Sequence, residues 1–147
     1  MTGSSRAWPN GAPEVGQCES MSRDVLPEYI SMYSQISGDY NPVHYDEAVA
    51  AASPFGEIIV QGGITSSILN AVVAEKLPGP GSVFLQLDLS FLAPVRPGDT
   101  ITGTVEVLSV RDDKPITELA VSVSRQDGVA VLRGKAVCFT ASPTTPE

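Results

Sequence analysis

The chain has 147 residues, 42% of them hydrophobic and 18% charged, which suits one domain with its own core and excludes a disordered chain. A balance of 9 basic against 17 acidic residues gives a net charge of −8, which excludes nucleic acid as the main partner, because phosphate binding needs a basic face. No run of about 20 apolar residues offers a membrane span, and the single histidine, His44, excludes a His-rich metal site.

Residues 1–16 are rich in Ser, Gly and Pro and read as a flexible arm. They carry no positive segment followed by an apolar block, so no signal peptide is expected and the chain is placed in the cytoplasm. Cys18 and Cys138 lie far apart without metal-type spacing, and in a reducing cytosol both stay thiols. Ser22 to Leu77 reads as helical and irregular. Ser22 is a candidate N-cap, Pro27 fits a first turn, and Leu26, Tyr29, Ile30 and Tyr33 recur at helical spacing. Gly38 ends that helix and Asn41-Pro42 opens a turn.

A second helix is predicted from about Gly63 to Lys76. Ile64, Ile68, Ala71 and Val72 form a stripe that Leu69 and Val73 widen, so most of its surface should be buried. Pro78-Gly79-Pro80-Gly81 stops it. From Ser82 the period changes to two. Val83, Leu85, Leu87, Leu89 and Phe91 alternate with polar or aromatic neighbours. Ile101–Val110 alternates again, Leu119, Val121 and Val123 mark the next strand, Gln126-Asp127-Gly128 is a hairpin turn, and Val129–Phe139 is the last strand. Residues 142–147 read as a flexible tail, which leaves 17–141 as the folded domain. An antiparallel sheet wrapped around one nearly apolar helix makes an α+β domain. Its open edges predict pairing with a second copy, as a homodimer or a dimer of dimers.

One segment concentrates chemistry. In Ser37-Gly38-Asp39-Tyr40-Asn41-Pro42-Val43-His44 a carboxylate and the only imidazole flank an Asn-Pro turn. Side chains on the two arms of such a turn can converge and act as a general acid–base pair. Asp39 and Asn41 could equally serve only to cap the turn. Downstream, Val60-Gln61-Gly62-Gly63 leads into the apolar helix. N–H groups at a helix start are unpaired and can hold a developing oxyanion. The glycine pair could equally serve only a tight entry into a buried helix.

The Ser37–His44 segment, with Tyr45-Asp46 and Ala48, resembles the signature of the MaoC-like (R)-specific enoyl-CoA hydratases. Phe55 to Thr65, Leu77-Pro78-Gly79-Pro80-Gly81-Ser82, Leu89 to Val95, Pro97-Gly98-Asp99 and Asp112-Asp113-Lys114-Pro115 resemble the same family. The resemblance implies a hot-dog fold: a long central helix wrapped by an antiparallel sheet. It implies reversible syn addition of water to a trans-2-enoyl thioester, giving a (3R)-3-hydroxyacyl thioester. Asp39 matches the catalytic aspartate, His44 the catalytic histidine and Gly62 the amide oxyanion donor. Asn41 matches a residue that supports the turn. The substrate would be an acyl-CoA or acyl-carrier-protein thioester, with no cofactor and no metal.

The chain departs from the family pattern at Gln61, where His is common, and at Gly63, where a bulky apolar residue is common. Asn70 stands where some members carry a small hydroxyl residue near the site. Gln61, Gly63 and Asn70 are therefore expected, with Asn41, to shape substrate binding, and Gly63 to make room for a bulkier acyl group. The alternatives are a dehydratase for carrier-protein-bound intermediates, a non-catalytic thioester-binding module, and a hot-dog thioesterase.

Overall fold

The computed structural model describes residues 7–9 and 11–142. Five antiparallel strands form one sheet in the order β1-β3-β4-β5-β2. They are β1 (Cys18–Asp24), β2 (Ser82–Phe91), β3 (Thr100–Val110), β4 (Ile116–Arg125) and β5 (Ala130–Thr140). Three helices precede β2: α1 (Tyr29–Ser37), α2 (Glu47–Ala52) and α3 (Gly62–Glu75). α3 packs against β1, β2, β3 and β4, so the sheet wraps the helix as expected. Ile68, Leu69 and Val72 of α3 are fully buried against Val105, Val107, Leu119 and Val123 of the sheet. Burial of each such side chain contributes about 1.5–3 kcal/mol. Gly103 lets the helix lie close to the sheet, because a Cβ there would come 2.8 Å from Ile68 Cγ2.

Three expectations are corrected. Ser22 does not cap a helix; it lies in β1, paired with Thr102 of β3, and its Oγ is 2.7 Å from Thr102 Oγ1. The first helix starts seven residues later, at Tyr29. The alternation of β2 does not hold one face inward. Its register shifts between Phe84 and Gln86. Phe84 before the shift and Leu89 after it pack on the core, whereas Val83, Leu85, Leu87 and Phe91 are exposed. The stretch read as an arm includes an anchored part. Trp8 is buried and its Nε1–H donates to Arg111 O at 2.7 Å, and Gly16 N–H donates to Val107 O at 2.8 Å. Of the expected tail, Ser142 is exposed and residues 143–147 lie outside the described residues.

α2 was not expected. Asp46 caps it by accepting from the N–H groups of Ala48 and Val49. α1 ends as expected at Gly38, whose left-handed φ of 76° lets its N–H close on Ser34 O. That exit sends the chain directly into the Asp39–His44 segment.

The two cysteines differ in environment. Cys18 is exposed and Cys138 is buried, and burial pushes the Cys138 thiol up to about 11. Burial disfavours the thiolate, which is the reacting species. At mildly alkaline pH a thiol reagent is therefore expected to titrate Cys18 alone in the native protein and both cysteines after unfolding. Rapid reaction of both in the native state would contradict the packing.

Candidate active site

The turn between α1 and α2 is built from its own side chains. Asp39 Oδ1 accepts from Asn41 N–H at 3.0 Å, and Asn41 Oδ1 accepts from Val43 N–H at 3.3 Å. Pro42 opens a single 3-10 turn over Pro42–His44, where its missing N–H costs nothing. His44 is buried, and its Nδ1 lies 2.7 Å from Ile59 O. A carbonyl only accepts, so Nδ1 carries the hydrogen. Nε2 therefore faces away from the backbone, 3.6 Å from Asp39 Oδ2. Capping and convergence prove compatible: Asp39 uses one oxygen for the turn and presents the other to the imidazole. Two atoms at that spacing can both stand about 2.8 Å from one oxygen placed beside them, a normal hydrogen-bond length.

Gly62 is the first residue of α3, so its N–H has no acceptor within the helix. Gln61 holds the N-cap position but makes no side-chain capping bond. The positive end of the helix dipole is left uncovered, in contrast to α2. His44 and Gly62 both line a cavity of about 360 Å³, with Phe55, Thr65, Phe91 and Val95 among its walls. A Cβ at Gly62 would come 3.0 Å from Phe91 Cε1, so the missing side chain keeps the amide close to the cavity. Asp39 is not part of this lining. Its side chain is 42% exposed and meets the cavity through His44. His44 also borders a second cavity of about 570 Å³, which includes Glu47, Glu57 and Arg96. There Arg96 Nε pairs with Glu57 Oε1 at 2.5 Å.

The structure puts His44 and Gly62 on one cavity wall, with Asp39 joined to it through His44 and Asn41 joined to Asp39 through the turn. The other three expected residues are neither in that lining nor directly linked to Asp39 or His44. Gln61 is 1% exposed and turns back to donate from Nε2 to Ile30 O and Ser34 Oγ, each at 3.0 Å. Asn70 is exposed, two turns along α3. Gly63 opens no room for a larger acyl group, because the Tyr33 phenol already fills that space: an added Cβ would fall 1.7 Å from Tyr33 Oη. Phe91, Thr65 and Tyr45 stand in stretches that carry the family resemblance but were given no role, and Ser34 left no signal in the sequence.

The family described as "MaoC like domain" matches residues 11–129. The (R)-specific enoyl-CoA hydratase of Aeromonas caviae is 38% identical over 124 residues, spanning 84% of this chain and 92% of that protein. The 3-hydroxybutyryl-CoA dehydratase of Methylorubrum extorquens is also 38% identical over 124 residues, spanning 84% of this chain and 78% of that protein. Among solved structures, the (R)-hydratase from A. caviae involved in PHA biosynthesis superimposes with a TM-score of 0.83 at 36% identity. It covers 88% of this chain and 98% of that one.

Because the phenol of Tyr33 occupies the space beside Gly63, Gly63→Ala is expected to overpack this contact and destabilise by about 1–3 kcal/mol. Tyr33→Ala should remove the clash, so the double variant should lose less than the sum of the single losses in urea unfolding. Full stability of Gly63→Ala would show that the contact does not constrain this site, either because the phenol of Tyr33 swings aside or because the two helices do not meet this closely.

Proposed function

The chain belongs to the MaoC-like domain family and has its hot-dog fold, and from that premise we propose that it is an (R)-specific enoyl-CoA hydratase, a hydro-lyase that reversibly adds water to trans-2-enoyl thioesters. The observation that carries the reading is the 3.6 Å approach of Asp39 Oδ2 to His44 Nε2, beside a cavity that also receives the start of α3. In this reading the pair begins with a carboxylate and one proton on Nε2. One water is held against both groups. Asp39 removes a water proton as the oxygen attacks C3, and His44 releases its Nε2 proton to C2. The pair ends with the proton on Asp39 and a neutral Nε2, and the proton then returns across the gap. The count of protons on the enzyme is unchanged by one turnover, and dehydration runs the same steps backward.

As C3 is attacked, negative charge builds on the thioester oxygen. The Gly62 N–H and the uncapped helix start suit that charge, and one donor of this kind is worth on the order of 10²–10³ in rate. Asn41 holds the turn that aims Asp39. Adding the hydroxyl and the proton from one catalytic pair on one side of the alkene gives syn addition, and the (3R) configuration, taken here from the (R)-specific relative, requires that the pair meet the face of the alkene that yields it. The chemistry is proton transfer and needs no cofactor. Coenzyme A is the favoured carrier, since both relatives described above are named for CoA thioesters or enoyl-CoA. An acyl-carrier-protein thioester is the alternative.

Residues 17–141 are taken as the catalytic unit. A second copy would pair along the open edge of β2, whose unpaired backbone groups await a partner strand and where Val83, Leu85 and Leu87 are exposed. Among the described residues, no helix is long and apolar enough to cross a membrane. A cytoplasmic location fits the two free cysteines.

With crotonyl-CoA, the pure protein is expected to remove the conjugated thioester absorbance and yield (3R)-3-hydroxybutyryl-CoA. Release of free thiol would mark a thioesterase, and inactivity on CoA esters with activity on carrier-protein esters would move the carrier assignment. Asp39→Asn and His44→Ala are each expected to lower turnover by at least about 10²-fold, as for acid–base groups. A near-normal rate in either variant removes that residue from the mechanism. Sedimentation analysis should give at least twice the monomer mass, and Leu85→Asp should shift it toward the monomer; a wild-type monomer rules out the pairing.

A further inference from the structure

We propose that Ser34 is a positioning residue, the hub of a hydrogen-bond network with Tyr45 and Gln61 that holds the proposed catalytic groups in register; this rests on the hydratase reading above. Ser34 lies on α1 and is 1% exposed. Its hydroxyl donates to Asp39 O at 2.7 Å. A serine hydroxyl has one hydrogen and two acceptor positions. With the hydrogen committed to Asp39 O, the other two partners must donate to Ser34 Oγ. They are the hydroxyl of Tyr45, in a short contact that takes its one hydrogen in preference to the longer 3.4 Å approach to Ile30 O, and Nε2 of Gln61 at 3.0 Å. The hydroxyl is then fully used.

The partners are the informative part. Asp39 is the proposed base. Tyr45 directly follows His44, the proposed acid. Gln61 directly precedes Gly62, the proposed oxyanion donor. One buried oxygen thus touches residues that are, or adjoin, all three groups the reaction uses. The Gln61 amide spends its second hydrogen on Ile30 O at 3.0 Å, and its Oε1 is buried without a partner. Turning the amide over would set oxygen against oxygen at Ile30. The orientation with two donated hydrogens is therefore kept despite the unpartnered oxygen. A ring stack braces the same loop: Tyr40 and Tyr45 have centroids 6.0 Å apart at an interplanar angle of 22°.

A network that only stabilises the fold would change the melting temperature and leave catalysis alone. Tyr45→Phe is the clean probe, because it keeps the ring and its stack and deletes only the hydroxyl. Gln61→Met keeps length and removes both donors. Assayed on crotonyl-CoA well below each melting temperature, each variant is expected to lose on the order of 10-fold in kcat with KM changed less than about twofold. The double variant should lose less than the product of the two, since both act through one hydroxyl. Wild-type kcat in folded Tyr45→Phe overturns the proposal, as does full multiplication of the two losses. A second readout needs no activity. His44 is the only histidine, so its ring signals in a long-range ¹H–¹⁵N spectrum are unambiguous. They should move or broaden in both variants, and unchanged ring signals overturn the proposal. If the wild type hydrates no enoyl thioester, the functional reading falls, and these ring signals still decide the positioning role.

Discussion

Everything at the site depends on how two side chains divide their hydrogen bonds. Asp39 gives one carboxylate oxygen to Asn41 N–H, and His44 gives one ring nitrogen to Ile59 O. Each is thereby fixed to backbone by one atom and left with one atom free. The free atoms face each other at 3.6 Å. Neither side chain can swing away without breaking a bond, so the pair is set before any substrate arrives, and little reorganisation is needed at the moment of reaction. The rigid Asn-Pro turn makes this possible, because it returns the chain on itself within five residues.

The second half of the site comes from the fold. α3 is buried along most of its length by the wrapped sheet, which fixes the direction of its axis and hence of its first N–H groups. Its N-cap residue, Gln61, turns its side chain inward instead of closing the helix end. α1 lacks a side-chain cap as well, so the missing cap is not peculiar to α3; what sets α3 apart is that its first residue lines the cavity. Two close approaches then dock the pieces: Phe91 against Gly62 on the cavity side, and Tyr33 against Gly63 on the α1 side. A side chain at either glycine would disturb both the packing and the amide.

How much of this was legible in the sequence follows from what each signal measures. α3 and the strands β3 to β5 were legible because burial imposes a hydrophobic period, and Ile64, Ile68, Leu119, Val121 and Val123 display it. β1 was not, because Cys18–Asp24 sends only Met21 to the core, too little to set a period, and is held as a strand by pairing with β3. The inward face of β2 was misjudged because a bulge near Leu85 reverses the phase, and alternation alone does not reveal a bulge. Asp39 and His44 were legible because their contact is local, within one turn. The roles of Gln61, Gly63 and Asn70 were not, since they depend on Ser34 and Tyr33 from another helix and on which face of α3 meets solvent. The expected room beside Gly63 illustrates this: the volume lost at one position is filled by a phenol 30 residues earlier in the chain.

The central claim is that one acid–base pair adds hydroxyl and proton from a single side of the alkene. Hydration of crotonyl-CoA in deuterium oxide tests it most directly, with the configuration at C2 and C3 of the product read by NMR. The account predicts one deuterium at C2, placed syn to a (3R) hydroxyl. Anti addition or a mixture at C2 would contradict it, and a syn product with a (3S) hydroxyl would keep the single-sided pair but contradict the (R)-specific assignment.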